Sequence, residues 1–241
     1  MADQNDSASQ IRSAVAIAGR VLADNGHDDF IWGHVSARDA AGRGVWLKRS
    51  GLGFREVSER DVLLLDFGGT LVAGEGRPHA EWPIHTAVMQ ARPDVGAVVH
   101  THPKYCIALA SSGQHLRPVS HAGAIFVPPA VPRFDLTTGL ISDPGLGSAL
   151  ASVLGKSQAM FMINHGIVVC GADIAEAVSR AVLLEKACEQ QLLALAAGGP
   201  LTYPDDQAAL RKRQEMWGHG PLTSLWEHLE RAAAAATTGE S

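Results

Sequence analysis

The segment 98–103 reads VVHTHP and places His100 and His102 two residues apart at the end of an apolar run. Because successive side chains of a strand alternate between its two faces, these imidazoles share one face. Imidazole is the commonest protein metal ligand, and three such nitrogens with one open position form the usual catalytic zinc site. The alternative is a pair of edge histidines that only form hydrogen bonds.

A third histidine, His165, also follows an apolar run, in the segment 163–169 (INHGIVV). It precedes Gly166, a residue type that lets the backbone pass close to a neighbouring group. Alone, His165 is more typical of a structural histidine. Together with His100 and His102 it supplies a third imidazole from a second strand end, and we predict that the three bind one divalent metal ion.

Glu81 lies at the predicted start of a helix, where the helix dipole favours the charged carboxylate. If that helix points toward the metal, Glu81 is a candidate fourth ligand or the general acid and base of a reaction. The plain alternative is an acidic residue of the kind that commonly begins a helix. His85 lies one turn further along the same helix face. It is either a partner behind the site or a core histidine.

Two polar, glycine-bearing loops follow short apolar runs and could offer backbone N–H groups to an anion. They are the segments 33–38 (GHVSAR) and 49–53 (RSGLG). Ordinary turns look the same, and Arg38 could equally form a structural ion pair. The candidate substrate contacts drawn from these loops and from the segment before Glu81 are His34, Arg38, Ser50, Gly51 and His79.

The elements that must position these residues mix strands and helices without strict alternation, which predicts a single α/β domain with a mainly antiparallel sheet flanked by helices. Strands are predicted at 31–38, 44–48, 62–66, 95–100, 125–127 and 159–163, with a hairpin around 68–69. Helices are predicted at 10–25, 81–92, 103–111, 142–154 and 173–197. We expect flexible ends at 1–8 and 231–241 and one domain over 9–230.

The composition limits the possible functions. A chain of 241 residues with 46% hydrophobic and 19% charged residues is sufficient for one ordinary domain with a substantial core. A net charge of -5 argues against nucleic-acid binding driven by charge, and no apolar run suits a membrane span. Three widely spaced cysteines and the absence of a signal-peptide pattern indicate a reducing compartment, the cytoplasm. Eleven histidines stand out against 2 tyrosines and 6 phenylalanines.

Taken in order, these segments resemble the class II aldolase/adducin family over about residues 11–197. The matching elements are GHVSAR (33–38), the Ser50-Gly51 turn, Glu81-Trp82 with His85, RPDVGAVVHTHP (92–103) and INHGIVVCGADIAEAV (163–178). The resemblance implies a sheet flanked by helices and assembly as a homotetramer with active sites near subunit interfaces. It also implies a divalent metal on His100, His102 and His165, with Glu81 as the catalytic glutamate.

Two departures from the family pattern bear on the substrate. Members that cleave sugar phosphates usually have asparagine where this chain has His34, and a Ser-Ser pair where it has His79-Ala80. Ala80 has no hydroxyl for a phosphate, and two potentially cationic histidines replace the phosphate-binding groups. This fits branches of the family that decarboxylate hydroxylated aromatic or dienoic acids, because a second carboxylate needs a cationic or donor-rich partner.

The sequence therefore predicts a metal-dependent carbon–carbon lyase, with a decarboxylase of a hydroxy-substituted aromatic or unsaturated carboxylic acid in catabolism as the leading hypothesis. An aldolase acting on a hydroxy-aldehyde or keto acid is the second hypothesis, and a dehydratase is the third. A non-enzymatic, adducin-like interaction protein is the fourth, although adducins typically lack the metal histidines. Zinc or manganese suits the three imidazoles, with cobalt or iron as further candidates.

Overall fold

The computed structural model describes residues 2–238 and shows an eight-stranded sheet with helices packed on both faces. The strands are β1 (His34–Arg38), β2 (Val45–Lys48), β3 (Val62–Leu65), β4 (Leu71–Ala73), β5 (Ala97–Thr101), β6 (Arg133–Phe134), β7 (Ala159–Met162) and β8 (Gly166–Gly171). The helices are α1 (Ala2–Leu22), α2 (Trp82–Ala91), α3 (Lys104–Ser111), α4 (His121–Ala124), α5 (Pro144–Leu154), α6 (Ile174–Ala196), α7 (Asp206–Met216) and α8 (His219–Thr238).

The strand order is β4-β3-β2-β1-β5-β8-β7-β6. Every neighbouring pair is antiparallel except β6 and β7, which are parallel. This confirms the predicted single α/β domain with a mainly antiparallel sheet. Strands β1 and β5 are neighbours near the centre, and their register places His34 opposite His100.

Each face of the sheet carries its own hydrophobic core, and strand residues alternate between the two. Val99 and Phe161 belong to the core shared with α1 and α6, whereas Val98 and Met160 belong to the core shared with α2 and α5. Because side chains repeat every two residues in a strand, His100 points to the same face as Val98. The buried face that carries α2 is therefore also the face that receives His100.

Acidic caps fix the beginnings of two helices. The Asp143 side chain accepts the N–H groups of Gly145 and Leu146 at the start of α5. Asp173 accepts the N–H of Glu176 at the start of α6, as its position in the sequence predicted. A carboxylate at this position satisfies helix N–H groups that have no partner within the helix.

The predicted strand at 125–127 is wrong. This segment follows α4 directly and precedes Pro128 and Pro129, which have no backbone N–H to donate to a strand ladder. No helix is predicted after residue 197, where the chain is polar and alanine-rich, but the structure has α7 and α8 there. Both helices have weak or alanine-dominated apolar patterns. Leu222 and Leu229 of α8 are core residues because they pack in the same cluster as α1 and α6, and the local sequence does not indicate this contact.

The ends of the chain are more regular than the sequence suggested. Helix α1 begins at Ala2, eight residues before the predicted start, and α8 continues to Thr238. After α1 the chain turns through Gly26, whose φ of 84° suits glycine as the helix-terminating residue. The expected flexibility of 1–8 and 231–241 stays a prediction, and residues 1 and 239–241 lie outside the described part.

Candidate metal centre and active site

Four side chains meet at one end of the central strands. His100 lies near the end of β5, and His102 follows the strand by one residue. His165 lies in the turn between β7 and β8, and Glu81 occupies the position just before α2. The potential ligand atoms of these residues all lie within 4.8 Å of one another. The fold thus brings together the four residues singled out as metal ligands and catalytic carboxylate.

Hydrogen bonds determine which nitrogen of His100 and His102 carries a proton. His100 donates through Nδ1 to the carbonyl of Ile167 at 2.9 Å, because a carbonyl can only accept. His102 donates through Nδ1 to the carboxylate of Asp29 at 2.8 Å. In the neutral form each ring then has its lone pair on Nε2, and these two atoms lie 3.1 Å apart.

This arrangement fits a metal ion. Two lone pairs at such a distance repel each other unless a cation lies between them. Histidine ligands of metals characteristically donate their second ring N–H to a carbonyl or a carboxylate, as His100 and His102 do. Burial favours the same form, since it lowers the pKa of His102 to about 4, with neighbouring His100 and His165 acting in the same direction.

The turn that carries His165 has little freedom. Asn164 has a φ of 57°, a left-handed conformation that asparagine tolerates better than most residues. A Cβ atom on Gly166 would lie 2.4 Å from the Thr101 carbonyl oxygen and 2.7 Å from the His102 ring. The close approach expected at this glycine is therefore confirmed. The Nδ1 atom of His165 is buried and has no hydrogen-bond partner among the described residues.

Glu81 is 2% exposed and lies among these imidazoles. Its Oε2 is 3.4 Å from His100 Nε2, its Oε1 is 3.5 Å from His165 Nε2, and Oε1 also accepts the Ile141 N–H at 2.9 Å. Burial alone would raise the pKa of Glu81, but interactions with the neighbouring His100, His165 and His34 rings lower it well below its usual range. The carboxylate is therefore ionised near neutral pH and is available as a ligand or a base.

The two histidines in the place of the phosphate-binding groups are neutral, which corrects the expectation that they supply positive charge. Burial, followed by the nearby Lys48 cation, lowers the pKa of His79 to about 4. Burial, followed by His79, places the pKa of His34 well below its usual value. His79 lines the cavity above the centre, whereas His34 is fully buried behind it, 3.8 Å from Glu81.

The other predicted substrate contacts lie in two different parts of the structure, some at the cavity and one away from it. Ser50 and Gly51 line the cavity beside the centre, and Ser50 is held by two hydrogen bonds to the Arg77 carbonyl at 2.9 and 3.1 Å. Arg38 is not brought to the site. It lies at the opposite end of β1 from His34, and its guanidinium donates to the carbonyls of Met89, Arg92 and Val95. Its position indicates a structural role at the end of α2.

The cavity above the centre has a volume of about 970 Å³. Its walls include apolar side chains from three separate segments, namely Ile31, Trp32, Ile107 and Leu140. The chain segment 138–140 forms part of the wall and leads to Ile141, which donates to Glu81. These side chains give the cavity a mainly apolar wall beside the polar centre.

Four residues of the site or its surroundings were missed or left ambiguous by the sequence analysis. Asp29 holds His102, and Arg77 lines the cavity. Lys48 is 1% exposed and donates to the carbonyls of Ile31 and Leu52 at 3.0 and 2.5 Å. His85, the ambiguous residue, is fully buried and bonded to His34. Apart from His85, nothing in the local sequence distinguishes them from surface residues.

Comparison with known proteins agrees with the fold and gives the family of the chain. Residues 13–192 match the family model described as class II aldolase and adducin N-terminal domain. A 3,4-dihydroxyphthalate decarboxylase of Arthrobacter keyseri is 31% identical, over 93% of this chain and 94% of that protein. The enzyme of the same name from a Terrabacter species is 33% identical, over 78% of this chain and 82% of its own.

A solved structure shares the architecture as well. L-fuculose 1-phosphate aldolase from Glaciozyma antarctica superposes with a TM-score of 0.83 at 26% identity, covering 96% of this chain and 91% of that one. The chain belongs to the class II aldolase/adducin family. The enzymes of this family depend on metal ions and act on small molecules, and the four-residue centre is the candidate metal site of this chain.

Proposed function

We propose that the protein is a divalent-metal-dependent carboxy-lyase that acts on a hydroxy-substituted aromatic or unsaturated carboxylic acid in catabolism. The observation that carries the proposal is the intact set of Glu81, His100, His102 and His165 at the floor of an apolar-walled cavity. The relatives named 3,4-dihydroxyphthalate decarboxylase support the same reaction class.

His100, His102 and His165 would hold the ion, with zinc or manganese as the first candidates and cobalt or iron as others. When bound, a divalent ion supplies Lewis-acid stabilisation of negative charge that develops on the substrate oxygens. Asp29 and the Ile167 carbonyl keep the Nε2 lone pairs of His102 and His100 directed at the ion.

Glu81 would move the proton. As an ionised carboxylate in the resting enzyme, it takes the proton of the substrate hydroxyl. Glu81 then delivers this proton to the ring carbon that bears the carboxylate, which converts the substrate to a keto form. The bond between that carbon and the carboxylate breaks, CO₂ leaves, and the electron pair passes through the ring to the keto oxygen and restores the aromatic ring. The product oxygen takes one proton from solvent, so that one proton is consumed for each CO₂ released.

The part of the cavity lined by Ser50, Gly51 and Arg77 would bind a second carboxylate. Arg77 supplies a cation there and Gly51 a backbone N–H, and the Ser50 hydroxyl would exchange its hydrogen bond to the Arg77 carbonyl for one to the carboxylate. Lys48 adds positive charge from beneath, because its pKa, lowered by burial to about 8, leaves it mostly protonated near neutral pH. His79 contributes hydrogen bonding as a neutral ring. Ala80, also in the cavity wall, offers no hydroxyl to a phosphate.

An aldolase that cleaves a hydroxy-aldehyde or keto acid is the second candidate. The likeness to the L-fuculose 1-phosphate aldolase structure favours it, since the same family centre can stabilise negative charge in either reaction. A non-enzymatic, adducin-like role receives no support from the four-residue centre, because such a role does not require ligands with fixed proton positions.

Assays on a panel of dihydroxybenzoates, hydroxyphthalates and sugar phosphates separate these functions when released CO₂ and aldehyde are both measured. We expect CO₂ from a hydroxylated aromatic acid and no aldehyde. Aldehyde without CO₂ would establish the aldolase. Metal content below roughly a tenth of an equivalent, with no activity restored by added divalent ions, would overturn the enzyme assignment. His165→Ala is the matched inactive control.

The family resemblance also supports a homotetramer. Large apolar side chains beside the cavity are well exposed in the isolated chain, including Phe30 at 77% and Leu136 at 65%. Light scattering coupled to size exclusion would measure the assembly, and a monomer would contradict it.

No helix within residues 2–238 is both long and apolar enough to cross a bilayer. A cytoplasmic location is part of the proposal, and the three free, buried cysteines support it because free cysteines are typical of a reducing compartment.

A further inference from the structure

A continuous chain of hydrogen bonds connects β1 and α2 behind Glu81. His34 Nδ1 and His85 Nε2 are 2.6 Å apart, and His85 Nδ1 is 2.6 Å from the Ser36 hydroxyl oxygen. All three side chains are 0% exposed. Because residues 34 and 36 share one face of β1, both side chains reach the α2 face where His85 lies.

The proton positions in this chain follow from counting donors and acceptors. If Ser36 donates to His85 Nδ1, His85 donates through Nε2 to His34 Nδ1, and the remaining His34 proton is on Nε2. If the direction is reversed, the Ser36 hydroxyl proton needs an acceptor elsewhere, and among the described residues His85 is the one hydrogen-bond partner of this hydroxyl. A buried hydroxyl without an acceptor is costly, because it loses its hydrogen bond to water and gains none in the protein.

When Ser36 is the donor at the start of the chain, the His34 Nε2–H group points toward the Glu81 carboxylate. His34 Nε2 is buried and has no hydrogen-bond partner within residues 2–238, and the Glu81 Oε2 atom lies 3.8 Å from it. This assignment is opposite to that of His100 and His102, whose Nε2 atoms carry lone pairs. Two histidines that face each other across β1 and β5 thus present opposite groups to Glu81, a donor from His34 and a metal-binding lone pair from His100.

We propose that Ser36 and His85 are positioning residues that hold the His34 proton on Nε2, so that His34 presents a neutral N–H donor to Glu81. The role rests on the proposed function, because it matters for turnover only if Glu81 moves the proton. His34 keeps the carboxylate oriented toward the substrate without adding a second positive charge beside the metal. The proton on Nε2 also excludes His34 as a ligand in the adjacent group His34, His79 and Glu81, which could otherwise hold a second ion.

The test uses the zinc-loaded protein with ¹⁵N-labelled histidine. Long-range ¹H–¹⁵N correlation spectra distinguish the two neutral forms of imidazole, and His34→Asn serves only to assign the His34 signal. We expect the Nε2–H form of His34 in the natural protein. Ser36→Ala removes the hydroxyl that donates to His85, so we expect His34 to show the Nδ1–H form in this variant. Ser36→Thr keeps a hydroxyl, so His34 should retain its proton on Nε2.

Turnover and metal content provide the second readout. We expect Ser36→Ala to lower kcat about tenfold or more, with KM and the zinc stoichiometry of one per subunit unchanged, and Ser36→Thr to restore kcat. His85→Gln offers an N–H to His34 and a carbonyl to Ser36, so it should be milder than His85→Leu. A merely structural role would lower stability without changing the imidazole form.

Three results would overturn the proposal. They are a His34 proton on Nδ1 in the natural protein, a Ser36→Ala variant with unchanged spectra and kcat, and a second zinc bound at His34. The spectra decide the proton position whether or not any lyase activity is found. A correct proton position without activity on the panel would instead count against the proposed function.

Discussion

The Nε2 atoms of His100 and His102 lie 3.1 Å apart, and the Nδ1 atom of each ring donates its proton to an oxygen on the other side of the ring. Ile167 and Asp29 thus determine the chemistry of the centre as much as the histidines themselves. A pair of edge histidines that only formed hydrogen bonds would place a proton between the rings. The observed partners instead prepare two lone pairs for a shared cation.

Removing one of these ligands should abolish metal binding. We expect His102→Ala to bind less than about a tenth of the zinc bound by the natural protein, as measured by elemental analysis after dialysis. His115→Ala, a substitution of an exposed histidine outside the site, is the matched control. Chelation should also lower the unfolding temperature of the natural protein, since a ligand at a thousand times its Kd stabilises by about 4 kcal/mol. Equal zinc in both variants would contradict the three-histidine site.

Glu81→Gln should lower turnover by about a hundredfold or more, because the amide cannot accept and return a proton. The amide oxygen can still accept the Ile141 N–H, so the variant should fold normally. Steady-state rates with the best substrate of the panel, together with circular dichroism, would check both points. An unchanged rate would move the acid–base role to a histidine.

Arg77→Met should weaken binding of a substrate that carries a second carboxylate. Loss of one charge-assisted contact should raise KM about tenfold or more, with a smaller effect on a monocarboxylate of the same ring. Comparing the two substrates isolates the contact from any general effect on the cavity. Arg60→Met, which changes an exposed arginine outside the cavity, is the control. Equal changes for both substrates would place the second carboxylate elsewhere.

The buried Lys48 should make stability depend on pH in the alkaline range. Burial lowers its pKa from 10.5 to about 8 in the folded protein, so between these values the unfolded chain binds more protons. The free energy of unfolding should therefore rise with pH across this window, by about 3 kcal/mol at most from this group. Urea unfolding at pH 8 and pH 10.5 would measure it. Lys48→Met should lose this rise, and parallel profiles would show that another group is responsible.

The main elements could be predicted from local patterns because their apolar residues follow the strand or helix period directly. Strand β5 and helix α6, with its Asp173 cap, lie close to their predicted positions. A strand was wrongly predicted at 125–127 because three consecutive apolar residues are compatible with one. The prolines that follow cannot donate to a strand ladder, and the segment instead continues directly from α4. Helices α7 and α8 were missed because their few apolar residues show no clear helical period and are buried only by contact with the rest of the core.

The sequence by itself identified the three imidazoles and the carboxylate, because residue type and spacing near strand ends carry that chemistry. It could not decide which nitrogen of each ring is protonated, since Asp29, Ile167 and Ser36 become partners only when distant segments pack together. Tertiary structure also separated Arg38 from the cavity and added Arg77 to it. The charge of the buried histidines was decided in the same way, because desolvation is a property of the folded interior and not of the local sequence.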